Sequence, residues 1–129
     1  MEAKLQNKRP KHLNLFKIRQ PLPAVISILH RVSGILLFFP GIPLLLYGLQ
    51  MMLDSRHSYE VLTNYLHSPT IKGVLIFSLW FFLHHLCAGI RFLALDLHYG
   101  VMLRPARMSS KLVLVFGIIL TLLIGFAIW

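Results

Sequence analysis

The chain has 129 residues, of which 57% are hydrophobic and only four are acidic, and its mean hydropathy is +0.71. A water-soluble domain of this size needs far more polar surface, so the composition places the chain in the membrane class as a single domain. The net charge of +9 could suggest a nucleic-acid partner. Its placement at the ends of apolar runs points instead to helices oriented in a bilayer.

Residues 1–20 are polar and carry Lys4, Lys8, Arg9, Lys11, Lys17 and Arg19. They read as a basic cytoplasmic segment that touches lipid headgroups. No charged-then-apolar leader with a small-residue cleavage site is present, Glu2 is acidic, and Ser is absent there. The reading is a bacterial inner-membrane protein that keeps its own start.

Charge-free runs cover 32–53, 73–90 and 112–129. A bilayer span needs about 20 apolar residues, with about 17–25 tolerated. The expected fold is therefore all-α and integral to the membrane, with three transmembrane helices at 21–53, 69–97 and 106–129. Helix one opens near Pro21 or Pro23, where proline suits a first turn, and Pro40 and Pro43 bend it. Residues 54–70 read as an outer loop holding His57, Tyr59, Tyr65 and His67. Arg91, Arg104, Arg107 and Lys111 surround the second connection. Positive residues collect on the cytoplasmic side, so the N-terminus is expected inside and Trp129 at the periplasmic interface. Cys87 stands alone, which excludes a disulfide framework and a cysteine metal site.

Two polar clusters interrupt the apolar runs: Ser27 to Gly34, and His84-His85 running on to Arg91 and Asp96. An ionisable side chain inside a span costs about 2.5–3.5 kcal/mol on insertion scales and marks a functional site by default. His30 lies about 10 Å into helix one, and His85 about 17 Å deeper than Asp96, at 1.5 Å per residue. The alternating topology then puts both clusters in one leaflet. His85, Gly89, Phe92 and Asp96 share a stripe, with His84, Ala88, Arg91 and Leu95 on the neighbouring one. On helix one Ser27 and Arg31 face together, and His30, Gly34 and Gly41 form an adjacent line. An imidazole, a glycine one turn away and nearby cations together suit a b-type haem. Spacing leaves His84 and His85 both open as ligands, with Gly89 favouring His85. Arg31 suits either a propionate or, with Ser27, a quinone carbonyl. Plain helix packing uses the same small residues.

The motif S-x-x-H-R-x-S-G is matched in full by Ser27, His30, Arg31, Ser33 and Gly34. H-x-x-x-G-x-R followed by an aspartate is matched by His85, Gly89, Arg91 and Asp96, and an Arg-Pro pair stands at Arg9-Pro10. With three spans and this length, the chain resembles the cytochrome b membrane-anchor subunit of bacterial succinate dehydrogenase over essentially its whole extent. The resemblance implies half of a haem-binding bundle, completed by a second small anchor subunit that gives the other ligand to one shared haem b. It implies His85 as the axial ligand, with His30, Arg31, Gly89 and Arg91 around the cofactor. Ser27 and Arg31 then line a ubiquinone site beside the iron–sulfur subunit, with succinate oxidised on a flavoprotein subunit and no catalytic residue here. A trimer of the four-subunit complex fits the same picture. Phe92 departs from the pattern, since many members carry a second histidine there, so no propionate contact is expected from it. Two alternatives stand beside this reading: a haem-free structural anchor, and a small oligomeric transporter. No broken repeat supports the second.

Overall fold

The computed structural model describes residues 18–128. The Arg9-Pro10 pair, the basic residues up to Lys17 and the terminal Trp129 lie outside them. The described residues are helical almost throughout. Helix α1 (Leu22–Leu36) runs through a π-helical turn (Leu37–Gly41) into α2 (Ile42–Asp54). Then follow α3 (Arg56–His67), α4 (Pro69–Asp96) and α5 (Leu103–Ile128). Among the described residues three helices are long and apolar enough to cross a membrane: 22–54 as one unit, then α4 and α5. Their 33, 28 and 26 residues exceed the length needed for a hydrocarbon core of about 30 Å at 1.5 Å per residue.

Local sequence explains the ends and the interruption. Pro21 caps α1 without its own N–H being missed. Pro40 has no N–H for the Leu36 carbonyl, and the ladder widens so that Ile42 N–H reaches Leu37 O, five residues back. A Cβ at Gly41 would lie 3.3 Å from the Leu36 carbonyl oxygen, which favours glycine beside that carbonyl. The added residue also turns Gly41 off the His30–Gly34 line. It meets only Leu36 and Leu37 of its own helix.

The expected outer loop is largely the helix α3. The Ser55 hydroxyl accepts the Ser58 N–H at 3.2 Å and starts it. A helix of twelve residues is marginal in water, so its contacts with α2 and α4 supply what propensity does not. The exposed Arg56–Glu60 pair, 3.2 Å long, adds little. At the other end α4 stops in a Schellman turn: Tyr99 N–H bonds Ala94 O and His98 N–H bonds Leu95 O, each at 2.9 Å. His98 occupies the left-handed position at φ 64°.

Helix α4 is central and packs on both α1 and α5. Its small residues and those of α5 allow the approach: a Cβ on Gly117 would sit 3.6 Å from the His84 Cα. The core is thin, with Ile26, Leu83, Ala88 and Val113 buried. Helix α2 buries no residue. Its Leu44, Leu45 and Leu53 are each more than 60% exposed, a surface suited to lipid or a partner helix and not to water.

Candidate functional site

The two polar clusters meet. Helices α1 and α4 interlock through a reciprocal pair of histidines and glycines. A Cβ on Gly34 would come 3.0 Å from His85 Cε1, and one on Gly89 would come 3.6 Å from His30 Nε2. Each imidazole therefore lies over the other helix's glycine. The rings stack with centroids 4.1 Å apart and planes 9° apart. The spacing suggests that Gly89 leaves room for a flat, bulky group; in the structure the His30 ring lies against it.

His85 is held at one nitrogen. Its Nδ1 lies 3.1 Å from the His30 carbonyl oxygen and 3.0 Å from Ser33 Oγ. A carbonyl only accepts, so the network assigns the proton to Nδ1. Ser33 donates its own hydroxyl hydrogen to the same carbonyl at 2.8 Å, leaving its oxygen lone pairs facing Nδ1–H. No described residue hydrogen-bonds His85 Nε2. An imidazole with Nδ1–H committed and Nε2 carrying a lone pair is in the state a metal ligand requires.

His84 is placed differently. It is 0% exposed, lies against Gly117 of α5 and stacks on Trp80 with centroids 5.6 Å apart. Neither ring nitrogen has a hydrogen-bond partner among the described residues. The one-residue offset thus sends the two neighbours to different helices: His85 to α1, His84 to α5. Two unpaired buried nitrogens are costly, so His84→Phe, which keeps the stack on Trp80, is expected to stabilise the assembled protein by about 1 kcal/mol. A lower apparent Tm for that variant would contradict this placement.

Arg91 also turns towards α5. It is 7% exposed; its Nε donates to Ser109 Oγ at 3.0 Å and its Nη2 to Ala106 O at 3.4 Å. Nη1 is buried with no partner among the described residues. Asp96, the carboxylate at the end of α4, could in sequence terms pair with Arg91 or with a base on a partner subunit. The described residues contain no Arg91–Asp96 ion pair, because Arg91 lies on the α5-facing stripe while Asp96 is exposed one face away. Ring contacts link the remaining groups, with the His30 and Phe92 planes tilted by 60°. The Arg91 guanidinium carbon lies 5.3 Å from the Phe92 centroid, and Phe92 lies 5.1 Å from the His30 ring.

Ser27 is half-buried and Arg31 exposed on α1, one turn apart. Neither side chain hydrogen-bonds another described residue. Among the described residues no cluster of three or more histidines, cysteines or carboxylates could cage a bare ion.

Sequence reasoning assigned no role to Ser33 as a partner of His85, or to Gly34 beneath it. The signal was available within the motif: Ser33 stands three residues after His30 and so shares its face.

Comparison with known proteins gives one consistent answer. Residues 6–124 match the family described as succinate dehydrogenase/fumarate reductase transmembrane subunit. The chain is 39% identical over 123 residues to the succinate dehydrogenase cytochrome b556 subunit of Coxiella burnetii, covering 95% of this chain and 98% of that one. The subunit of the same name from Rickettsia felis is 32% identical, with 95% of each chain covered. That from Paracoccus denitrificans is 30% identical over 87% of this chain and 84% of its own. Three membrane-spanning helices, the interlocked histidines and a match over nearly the whole length lead to one assignment: this chain belongs to the succinate dehydrogenase/fumarate reductase transmembrane subunit family.

Proposed function

We propose that the chain anchors succinate dehydrogenase in the bacterial inner membrane, holds one haem b with a second small anchor subunit, and helps form the site where ubiquinone is reduced. The N-terminus is cytoplasmic and the C-terminus periplasmic. The basic end that carries Arg31, Arg104, Arg107 and Lys111 then faces the iron–sulfur subunit, with the flavoprotein beyond it. The four-subunit complex forms a trimer in this reading.

The observation that carries the haem assignment is the hydrogen bond from His85 Nδ1 to the His30 carbonyl at 3.1 Å. It leaves Nε2 neutral and unprotonated for iron. The residues present fit the cofactor in two further respects. Arg91 keeps a buried, unpartnered Nη1, a donor suited to a propionate. The stacked His30 lies between His85 and Phe92, where its ring can border the macrocycle beside Gly89. Bound haem b supplies a one-electron carrier next to the quinone site.

Ser27 and Arg31 bind the quinone. The Arg31 guanidinium donates to a carbonyl oxygen, holds the ring and stabilises the negative charge that grows there on reduction. The Ser27 hydroxyl is a second donor one turn away. Reduction to quinol takes up two electrons and two protons. Among the described residues no carboxylate hydrogen-bonds Ser27, and in this reading the protons come from a partner subunit or from water.

Deleting the chain from the complex is the test. Dye-linked succinate oxidation is expected to move to the soluble fraction, with b-type haem and quinone reduction lost from the membrane. Succinate dehydrogenase that stays membrane-bound with its haem would refute the assignment.

A further inference from the structure

We propose that Ser33 is a positioning residue for the iron ligand: its hydroxyl sets the tautomer, orientation and basicity of His85. The inference rests on the reading of His85 as axial ligand and goes beyond it. Ser33 is fully buried, at 0% exposure, in a span where an unpaired hydroxyl would be costly. It is paired on both sides. Its hydrogen goes to the His30 carbonyl at 2.8 Å, and its oxygen lies 3.0 Å from His85 Nδ1. The donated hydrogen turns the oxygen lone pairs towards the imidazole, so Ser33 accepts from Nδ1–H alongside the carbonyl at 3.1 Å. Gly34, next in the chain, lets His85 sit close enough for this bond, since a Cβ there would lie 3.0 Å from Cε1.

The chemical consequence follows from the direction of the bond. Two acceptors on Nδ1–H draw positive charge from the ring and make Nε2 a stronger donor to iron. That favours the ferric state and lowers the haem potential. The same pair of acceptors fixes the ring's rotation about its own axis. Ser33→Ala removes one acceptor. Alanine is smaller than serine and a better helix former, so the α1–α4 contact itself is kept.

The experiment uses the purified four-subunit complex, with haem midpoint potential and low-temperature EPR as readouts. Ser33→Ala is expected to keep the haem and shift its reduction equilibrium by up to tenfold towards ferrous iron, at most about 59 mV for one electron. The low-field EPR feature broadens as the ligand ring loses its fixed orientation. Ser33→Thr, which keeps the hydroxyl, returns both to the wild-type values. A Ser33→Ala complex with wild-type potential and EPR would overturn the proposal. Loss of haem in Ser33→Ala with recovery at wild-type potential in Ser33→Thr supports it. Loss in both variants overturns it, because the position would then matter for size alone. His85→Ala is measured in parallel. If it keeps the haem, the ligand assignment fails. If it loses the haem while Ser33→Ala stays silent, only the role of Ser33 fails.

Discussion

Arg31→Ala is expected to lower succinate-driven ubiquinone reduction by about 10²-fold while dye-linked succinate oxidation holds its wild-type rate. The size comes from comparison with single charge-stabilising donors elsewhere, whose removal costs about 10²–10³ in rate. The selectivity comes from position. Arg31 is exposed at the N-terminal end of the first span and hydrogen-bonds no other described residue. Its loss therefore leaves helix packing intact, and the chemistry on the soluble subunits does not pass through it. Arg31→Lys restores only part of the rate, because an ammonium cannot present the planar fork that holds a carbonyl and its neighbour together. Equal losses in both assays would mean that Arg31 holds the complex together. Unchanged quinone reduction would remove it from the site.

The membrane fold is legible in the chain because its signal is long-range composition. Apolar runs near 20 residues admit few alternatives in a bilayer. Boundaries are less so. Helix α5 begins at Leu103, three residues before the expected 106, because Pro105 falls in the first turn, where its missing N–H has no helical partner to lose. The stretch after Asp54 reads as a loop since its polar residues outweigh Val61, Leu62 and Leu66. Packing against α2 and α4 makes it helical. The π-turn is foreshadowed by Pro40, but its effect on the phase of Gly41 is not.

The candidate site divides in the same way. Both motifs are contiguous in sequence and mark the polar residues without any fold. What they do not encode locally is which helix each side chain meets. His84 and His85 are neighbours, yet only the rotation of α4 against α1 and α5 sends one to Ser33 and the other to Gly117. The Ser33–His85 bond spans 52 residues and depends on the phase of two helices at once. Arg91 shows the limit most clearly. Its motif does not say which helix it meets; its stripe faces α5, and Ser109 takes the guanidinium.

His85→Ala is the second large effect and bears on the centre of the account, that this chain binds haem through His85 Nε2. Among the described residues no other side chain is prepared for that task. His30 stacks on His85 and supplies its carbonyl, and His84 is sealed against α5. If His85 is the ligand as proposed, removing its imidazole leaves no substitute among the described residues. The decisive measurement is the reduced-minus-oxidised spectrum of the purified complex for the wild type, His85→Ala and His84→Phe. Dye-linked succinate oxidation by the same preparations confirms assembly. The b-type band is expected to disappear in His85→Ala and to persist at full amplitude in His84→Phe. A band that survives His85→Ala, or one that is lost with His84→Phe, would contradict the assignment.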